Sequence, residues 1–184
     1  FSWKNTVGPL EERKHANNIW RDDENGRYYG NTFSLGYHEY FQLCEDLGAL
    51  PLPILNVGMI CQFQFDPGYR DTEAKYRAGK MGEDEWNDYL SSFAYAPGSP
   101  EYEKYTQDIL DLLDYALAPA GTNEWANLRA ENGHPEPFDL RYLGLGNENW
   151  GDVYWRNFEP LYNAVKSYCA AKGYDVTVIS SASY

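Results

Sequence analysis

Residues 141–151 read Arg141-Tyr142-Leu143-Gly144-Leu145-Gly146-Asn147-Glu148-Asn149-Trp150-Gly151. Arg141 to Gly146 is short, apolar in its middle and ended by glycine, the pattern of a strand buried in a sheet. Polar residues follow at once, and Asp152 has the chemistry to cap a helix. Beyond it Tyr154, Phe158, Leu161, Val165 and Tyr168 keep a helical register, which Gly173 closes. Val176 to Ser180 is strand-like again. Strand, long helix, strand is the signature of a parallel pair joined by a helical crossover.

The alternation extends toward the N-terminus. Leu52 to Val57, bounded by Pro51 and Gly58, is a continuous apolar run expected to form a strand covered on both faces. Ser99 and Pro100 open a helix whose apolar stripe is Tyr102, Tyr105, Ile109, Leu112 and Ala116, ending near Pro119 and Gly121. Asp71 to Tyr89 has room for one or two short helices, and Asn123 to Asn132 for another. His134-Pro135-Glu136-Pro137 is extended or turned, because each proline pushes its predecessor out of the helical region; His134 is expected to order that loop. Ser34 is positioned to cap a helix running to Leu47, stopped by Gly48, with Tyr37, Tyr40, Cys44 and Leu47 inward and His38 at the surface or in packing. Residues 1–33, with Gly8, Pro9, Gly26 and Gly30 and no periodicity, read as loop. The sum is an α/β protein with a parallel sheet. Three strands cannot close a barrel, so either the sheet is small and open or further strands lie outside this chain.

Composition narrows the function. The 184 residues carry 15 Lys+Arg against 28 Asp+Glu, a formal charge of −13. That balance argues against nucleic acid or an anionic membrane as partner. With 43% hydrophobic residues the chain can bury a core, which excludes a disordered segment. No apolar run reaches the roughly 18 residues of a membrane-spanning helix. Aromatic residues make up 17%; they fill cores, and they also line sugar sites, where a ring face stacks on C–H groups. Cys44, Cys61 and Cys169 have no paired spacing, so neither a disulfide framework nor a zinc knuckle is expected, and Cys44 and Cys169 read as core. The chain starts at Phe1 without an initiator Met and shows no signal peptide. It stops at Tyr184 just after a strand-like run, so a fragment of a longer protein is expected. An extracellular, periplasmic or cytoplasmic location stays open.

In parallel α/β folds reactive groups gather at the C-terminal ends of strands. Two stretches qualify here, Asn56 to Met59 and Gly146 to Gly151. In the second, Glu148 stands between a strand and a helix with glycines on both sides and Trp150 alongside. A neighbouring aromatic or second carboxylate can raise such a carboxyl group into the range of a general acid, and Asn147 can hydrogen-bond a substrate hydroxyl. The competing reading is electrostatic: a carboxylate ahead of a helix is stabilised by the macrodipole. Other motifs fail. Gly144-Leu145-Gly146 followed by Gly151 misses the dinucleotide fingerprint, because Asn149 holds the third glycine's place. There is no phosphate-binding loop and no G-x-S-x-G elbow. His15, His38 and His134 are isolated and lack metal-ligand spacing. Glu83, Asp84 and Glu85 read as a solvated face.

Phe1-Ser2-Trp3-Lys4-Asn5-Thr6-Val7-Gly8-Pro9 with Glu12-Arg13 resembles the segment after the second barrel strand of α-L-arabinofuranosidases of glycoside hydrolase family fifty-one. Gly36 to Asn56, with Cys44-Glu45-Asp46-Leu47-Gly48-Ala49, resembles that family's second helix and third strand. Gly133-His134-Pro135-Glu136-Pro137-Phe138, Tyr142 and Gly146-Asn147-Glu148 resemble the approach to its fourth strand and that strand's end. The likeness spans nearly the whole chain and is weakest over residues 59–120. It implies a (β/α)8 TIM barrel followed by a β-sandwich, of which residues 1–184 are one incomplete catalytic-domain fragment, about strands three to five with their helices. It implies a retaining, exo-acting enzyme that releases terminal arabinofuranose from arabinose-containing plant polysaccharides without cofactor or metal. By this resemblance Glu148 is the general acid/base and Asn147 binds the sugar's 2-hydroxyl. Trp20, one residue closer to Trp3 than in the family, corresponds to a tryptophan walling the arabinose pocket; Trp3 and Asn56 are rim residues. The nucleophilic Glu lies at the end of strand seven, beyond Tyr184, so the fragment alone is expected to be inactive. Nucleic acid and membrane are not implied as partners, and a homo-oligomer of the full-length protein is compatible. Two other readings stand: another retaining glycosidase of the clan, such as a xylosidase or glucanase, and a non-catalytic carbohydrate-binding α/β module.

Overall fold

The computed structural model describes residues 2–13, 15–22, 26–60 and 68–181; the side chains at 18–22, 27 and 28, and Cys61, lie outside that description. The chain divides into two compact units. The first is Phe1–Pro51 with Asp111–Leu140, and the second is Leu52–Leu110 with Arg141–Tyr184.

The second unit carries the parallel sheet. Its strands β3 (Ile54–Leu55), β4 (Tyr142–Leu145) and β5 (Thr177–Ser180) lie in the order β3-β4-β5. Both pairings are parallel, with Leu55 opposite Leu145 and Leu145 opposite Ser180. β4 is central, and Leu143 and Leu145 are fully buried. Gly144 is required there: a Cβ would lie 2.9 Å from Ile54 Cγ1. β3 is shorter than the expected Leu52–Val57 strand. Pro51 and Pro53 have no N–H to donate to a ladder, and past Leu55 the Asn56 side chain takes the Gly58 and Met59 N–H groups at 2.7 and 2.9 Å. Nor is β3 covered on both faces: Leu55 and Val57 are buried, whereas Ile54 is 48% exposed.

Around the sheet are α2 (Tyr69–Arg77), α3 (Glu83–Ser91), the first part of α4 (Pro100–Leu117) and α6 (Gly151–Lys172). The Ser99 hydroxyl accepts the Tyr102 N–H at 3.2 Å, as its capping position predicts. Glu83, Asp84 and Glu85 are exposed in the first turn of α3, where carboxylates complement the helix dipole. Trp150, not Asp152, is the residue before α6, and Asp152 sits in its first turn. The buried face of α6 includes Val153, Tyr154, Asn157, Leu161, Val165 and Cys169, so it is turned slightly from the expected stripe. Asn157 turns the face, donating from Nδ2 to the carbonyls of Val57 and Tyr95, both at 3.0 Å. Gly173 ends the helix in the left-handed conformation, φ 74°.

The first unit corrects the reading of residues 1–33 as loop. Trp3–Thr6 and Leu10–Glu12 are 3-10 turns, and β1 (Ala16–Asp22) pairs antiparallel with β2 (Arg27–Asn31). Helix α1 (Tyr37–Leu47) starts later than Ser34 would have it. Its first N–H groups are served from elsewhere: Glu39 accepts the Gly36 N–H at 2.8 Å and the Thr6 hydroxyl accepts that of Tyr37 at 3.0 Å. Thr6 comes so close that a Cβ on Gly36 would sit 1.8 Å from its carbonyl oxygen. This contact sets the rotation of α1, so its buried residues are His38, Phe41 and Cys44, while Leu47 is 71% exposed. Phe41 stacks on Phe138 at 5.0 Å and His38 shares a 2.7 Å hydrogen bond with the Tyr115 hydroxyl. Asn123 caps α5 (Glu124–Glu131) through the Ala126 N–H at 2.9 Å. The proline turn is ordered as expected by His134, whose ring bonds the Glu136 carbonyl at 2.7 Å and Glu45 at 2.8 Å.

Candidate active site

The C-terminal ends of β3, β4 and β5 are tied together by hydrogen bonds. Gly146, following β4, donates its N–H to the Leu55 carbonyl at 2.7 Å. Only glycine fits there: its φ is 88°, and a Cβ would meet Tyr154 Cε2 at 2.7 Å. Tyr154 reaches back from the first turns of α6. Its hydroxyl donates to the Leu145 carbonyl at 2.7 Å and accepts the Ser181 N–H at 2.8 Å. Burial holds its pKa above the ordinary tyrosine value, against the lowering by the Ser181 N–H, so the hydroxyl stays a donor.

Asn149 completes the frame. It is 4% exposed. Its Oδ1 accepts the Asn147 N–H at 3.1 Å, its Nδ2 donates to the Ile60 carbonyl at 3.3 Å, and its own N–H donates to Ser181 Oγ at 3.2 Å. One residue thus joins the loops after β3 and β4 through its side chain and the segment after β5 through its backbone. Asn147 and Glu148 stand on this frame with exposed side chains. Glu148 has φ 53°, one of two non-glycine residues in the left-handed region among those described. Such a conformation costs a non-glycine residue roughly 1–2 kcal/mol, and strain of this kind gathers at functional sites. Glu148 lies two residues ahead of Trp150, the residue before α6, and Asp152 occupies the first turn of that helix, so both carboxylates are near its N-terminus.

Of the residues singled out from sequence, Asn56, Asn147 and Glu148 are brought to one edge of one sheet. Asn56 shapes its own loop, with Nδ2 donating to the Met59 carbonyl at 2.8 Å. Trp3 belongs to the first unit, where it is 3% exposed and its ring lies 5.1 Å from Trp125 and 5.4 Å from Tyr115. Trp20 is in β1, and its side chain lies outside the described residues. Asn149, Tyr154 and Ser181 escaped the sequence reading. Tyr154 reads as one more stripe residue, and Asn149 only as a missing glycine; their partners are remote in sequence. Among the described residues no group of three or more His, Cys, Asp or Glu could hold a metal ion, and no helix is long and apolar enough to cross a membrane.

A parallel α/β sheet whose central strand ends in an exposed glutamate on a strained, framed turn belongs to the class that gathers its reactive groups at strand ends. The particular family follows from comparison. The family model of the alpha-L-arabinofuranosidase 1 domain matches residues 1–184, and the chain belongs to that family. It is 34% identical over 182 residues to an extracellular exo-alpha-L-arabinofuranosidase of Streptomyces chartreusis, covering 98% of this chain and 17% of that protein. Against alpha-L-arabinofuranosidase 1 of Arabidopsis thaliana the identity is 31% over 184 residues, covering 98% and 20%. Among solved structures, an arabinose-bound MgGH51 α-L-arabinofuranosidase superposes with TM-score 0.65 at 24% identity, over 98% of this chain and 22% of that one. The α-L-arabinofuranosidase of Thermotoga maritima, in complex with arabinose, gives 0.57 at 18%, over 98% and 28%. The chain therefore spans only a fifth or so of these relatives' length.

Proposed function

We propose that residues 1–184 form part of the catalytic (β/α)8 barrel of a retaining, exo-acting α-L-arabinofuranosidase that removes terminal arabinofuranose from plant polysaccharides. The observation that carries the reading is Glu148: an exposed carboxylate held at φ 53° directly after the central parallel strand. The consecutive order β3-β4-β5 supports a barrel segment, since a doubly wound sheet reverses its order at the point where ligands bind.

In this reading Glu148 first protonates the glycosidic oxygen as the bond to the anomeric carbon breaks. A second glutamate, outside this chain and about 5–5.5 Å away, attacks that carbon and forms a covalent arabinosyl-enzyme. Glu148, now a carboxylate, then takes a proton from water, whose oxygen displaces the enzyme glutamate. Asn147 binds the 2-hydroxyl. Asn56 contributes to the rim. Neither proton transfer calls for a metal or cofactor.

The test is Glu148→Gln in the full-length protein, assayed on two arabinofuranosides. With a sugar leaving group, which needs the proton, kcat/KM should fall about 10²–10⁴-fold. With an activated aryl leaving group the glycosylation step should be much less affected. Equal losses on both substrates would remove Glu148 from the acid role, and wild-type preference for aryl xyloside or glucoside would remove the arabinofuranosidase reading.

A further inference from the structure

Glu148 lies between two anchored amide groups. Ahead of it the Asn147 N–H donates to Asn149 Oδ1 at 3.1 Å, and behind it the Asn149 N–H donates to Ser181 Oγ at 3.2 Å. Asn149 takes part in both bonds. We propose that Asn149 is a positioning residue for the reaction: it holds Glu148 in the left-handed conformation, and that conformation aims the Glu148 carboxyl group at the glycosidic oxygen.

Glu148 has φ 53°. An L-residue leaves that region for negative φ unless its surroundings hold it. Asn149 supplies the hold. Its Oδ1 reaches back across Glu148 to the Asn147 N–H, which closes the three residues into a ring. The ring is then pinned on two sides, by Nδ2 on the Ile60 carbonyl at 3.3 Å and by the Asn149 N–H on Ser181. Each pin has its own tie to the fold. The Ile60 N–H donates to the Phe93 carbonyl at 2.9 Å, and the Ser181 N–H to the Tyr154 hydroxyl at 2.8 Å.

The residue type suits the place. A short amide carries an acceptor and a donor on separate atoms, and both are used here. Asn149 is 4% exposed, so solvent cannot readily replace a lost partner. Gly146 makes the room: a Cβ there would lie 3.2 Å from Asn149 Oδ1 and 3.3 Å from Ser181 Cβ.

The consequence for catalysis is geometric. Relaxing Glu148 to an ordinary negative φ would turn its side chain by more than roughly 100° about the backbone. Proton transfer needs the carboxyl within about 2.6–3.2 Å of the oxygen, and a misplacement of about 1 Å costs on the order of 10²-fold in rate.

The aim at the glycosidic oxygen rests on the acid role proposed for Glu148; the hold on its backbone does not. Each is tested separately on the full-length protein. First, crystal structures of wild type and Asn149→Ala are compared. Glu148 should keep its positive φ in wild type and move to negative φ in the variant; a positive φ retained in Asn149→Ala would overturn the proposal. Second, kcat/KM is measured for wild type, Asn149→Ala, Glu148→Gln and the double variant, on one arabinofuranoside with a sugar leaving group and one with an activated aryl leaving group. Asn149→Ala should lose about 10²-fold on the sugar leaving group and less than about threefold on the aryl one, the pattern of a misplaced acid. A residue that merely braces the site would lower both alike, and that result would overturn the proposal. Adding Asn149→Ala to Glu148→Gln should change the rate on the sugar leaving group by less than about threefold, because a residue acting through the acid has nothing to act on once the acid is gone. Multiplied losses would overturn it. Equal losses in Glu148→Gln on both substrates would defeat the proposed function and with it the aim, while the crystal structures still decide the hold. Should Asn149→Ala not fold, Ser181→Ala, which removes one pin, makes the same decision: a loss of about fivefold confined to the sugar leaving group supports the proposal, and equal losses on both substrates overturn it.

Discussion

Gly146 and Gly151 flank the Asn147-Glu148 turn, and both have positive φ, 88° and 74°. Their surroundings differ. A Cβ on Gly151 meets nothing within 4 Å, whereas one on Gly146 collides with Tyr154. Gly151→Ala should therefore cost about 1 kcal/mol, the left-handed penalty alone. Gly146→Ala should cost about 2–4 kcal/mol, because overpacking adds to that penalty. Urea unfolding of the two variants measures the difference. A second residue-scale effect concerns pH. His38 is 3% exposed, and its pKa lies below the ordinary value. Burial is the largest cause; His134 and Arg13 lower it further, and Glu39 and the Asn132 backbone pull it up. A histidine with a depressed pKa is neutral in the fold, so its contribution is complete above pH 6.5 and declines as pH falls below that value. His38→Gln should flatten the loss of unfolding free energy between pH 7 and 5 relative to wild type. An unchanged slope in the variant would show that another group titrates.

At the scale of elements, Arg129 joins a helix end to a turn. It is fully buried, and its guanidinium donates to four carbonyls: Tyr115 at 2.6 Å, Ala118 at 2.8 Å, and His134 and Pro135 at 3.0 Å. Tyr115 and Ala118 lie at the C-terminal end of α4, where carbonyls lack helical partners and positive charge is favourable. Lysine cannot make this fork, so Arg129→Lys should lower stability by about 3 kcal/mol, read from the denaturation midpoint. A loss below about 1 kcal/mol would mean that the carbonyls find water instead. The long helices were legible in the sequence because their end signals and periodicity are local: Ser99 and Gly173 act as read. The β1–β2 hairpin was not legible. Among its described side chains Asn17, Tyr29 and Asn31 are exposed, and the two strands pair with each other. The start of α1 was hidden for a related reason. Its capping groups, Thr6 and Glu39, include one 31 residues before Tyr37.

For the molecule as a whole, the parallel sheet and the place of the Asn147-Glu148 turn after its middle strand followed from strand–helix alternation and the Gly-Asn-Glu-Asn segment. The frame beneath that turn did not, because Asn149, Ser181 and Ile60 meet only after the sheet forms. The central claim is that Glu148 carries the proton in the full-length enzyme, and one measurement addresses it most directly. Glu148→Ala is assayed on an aryl α-L-arabinofuranoside with and without azide. Azide needs no general base, so it should attack the accumulated arabinosyl-enzyme, restore turnover and give arabinofuranosyl azide with retained anomeric configuration. A variant with near wild-type activity, or a slowed one that azide neither accelerates nor converts to the glycosyl azide, would contradict the assignment.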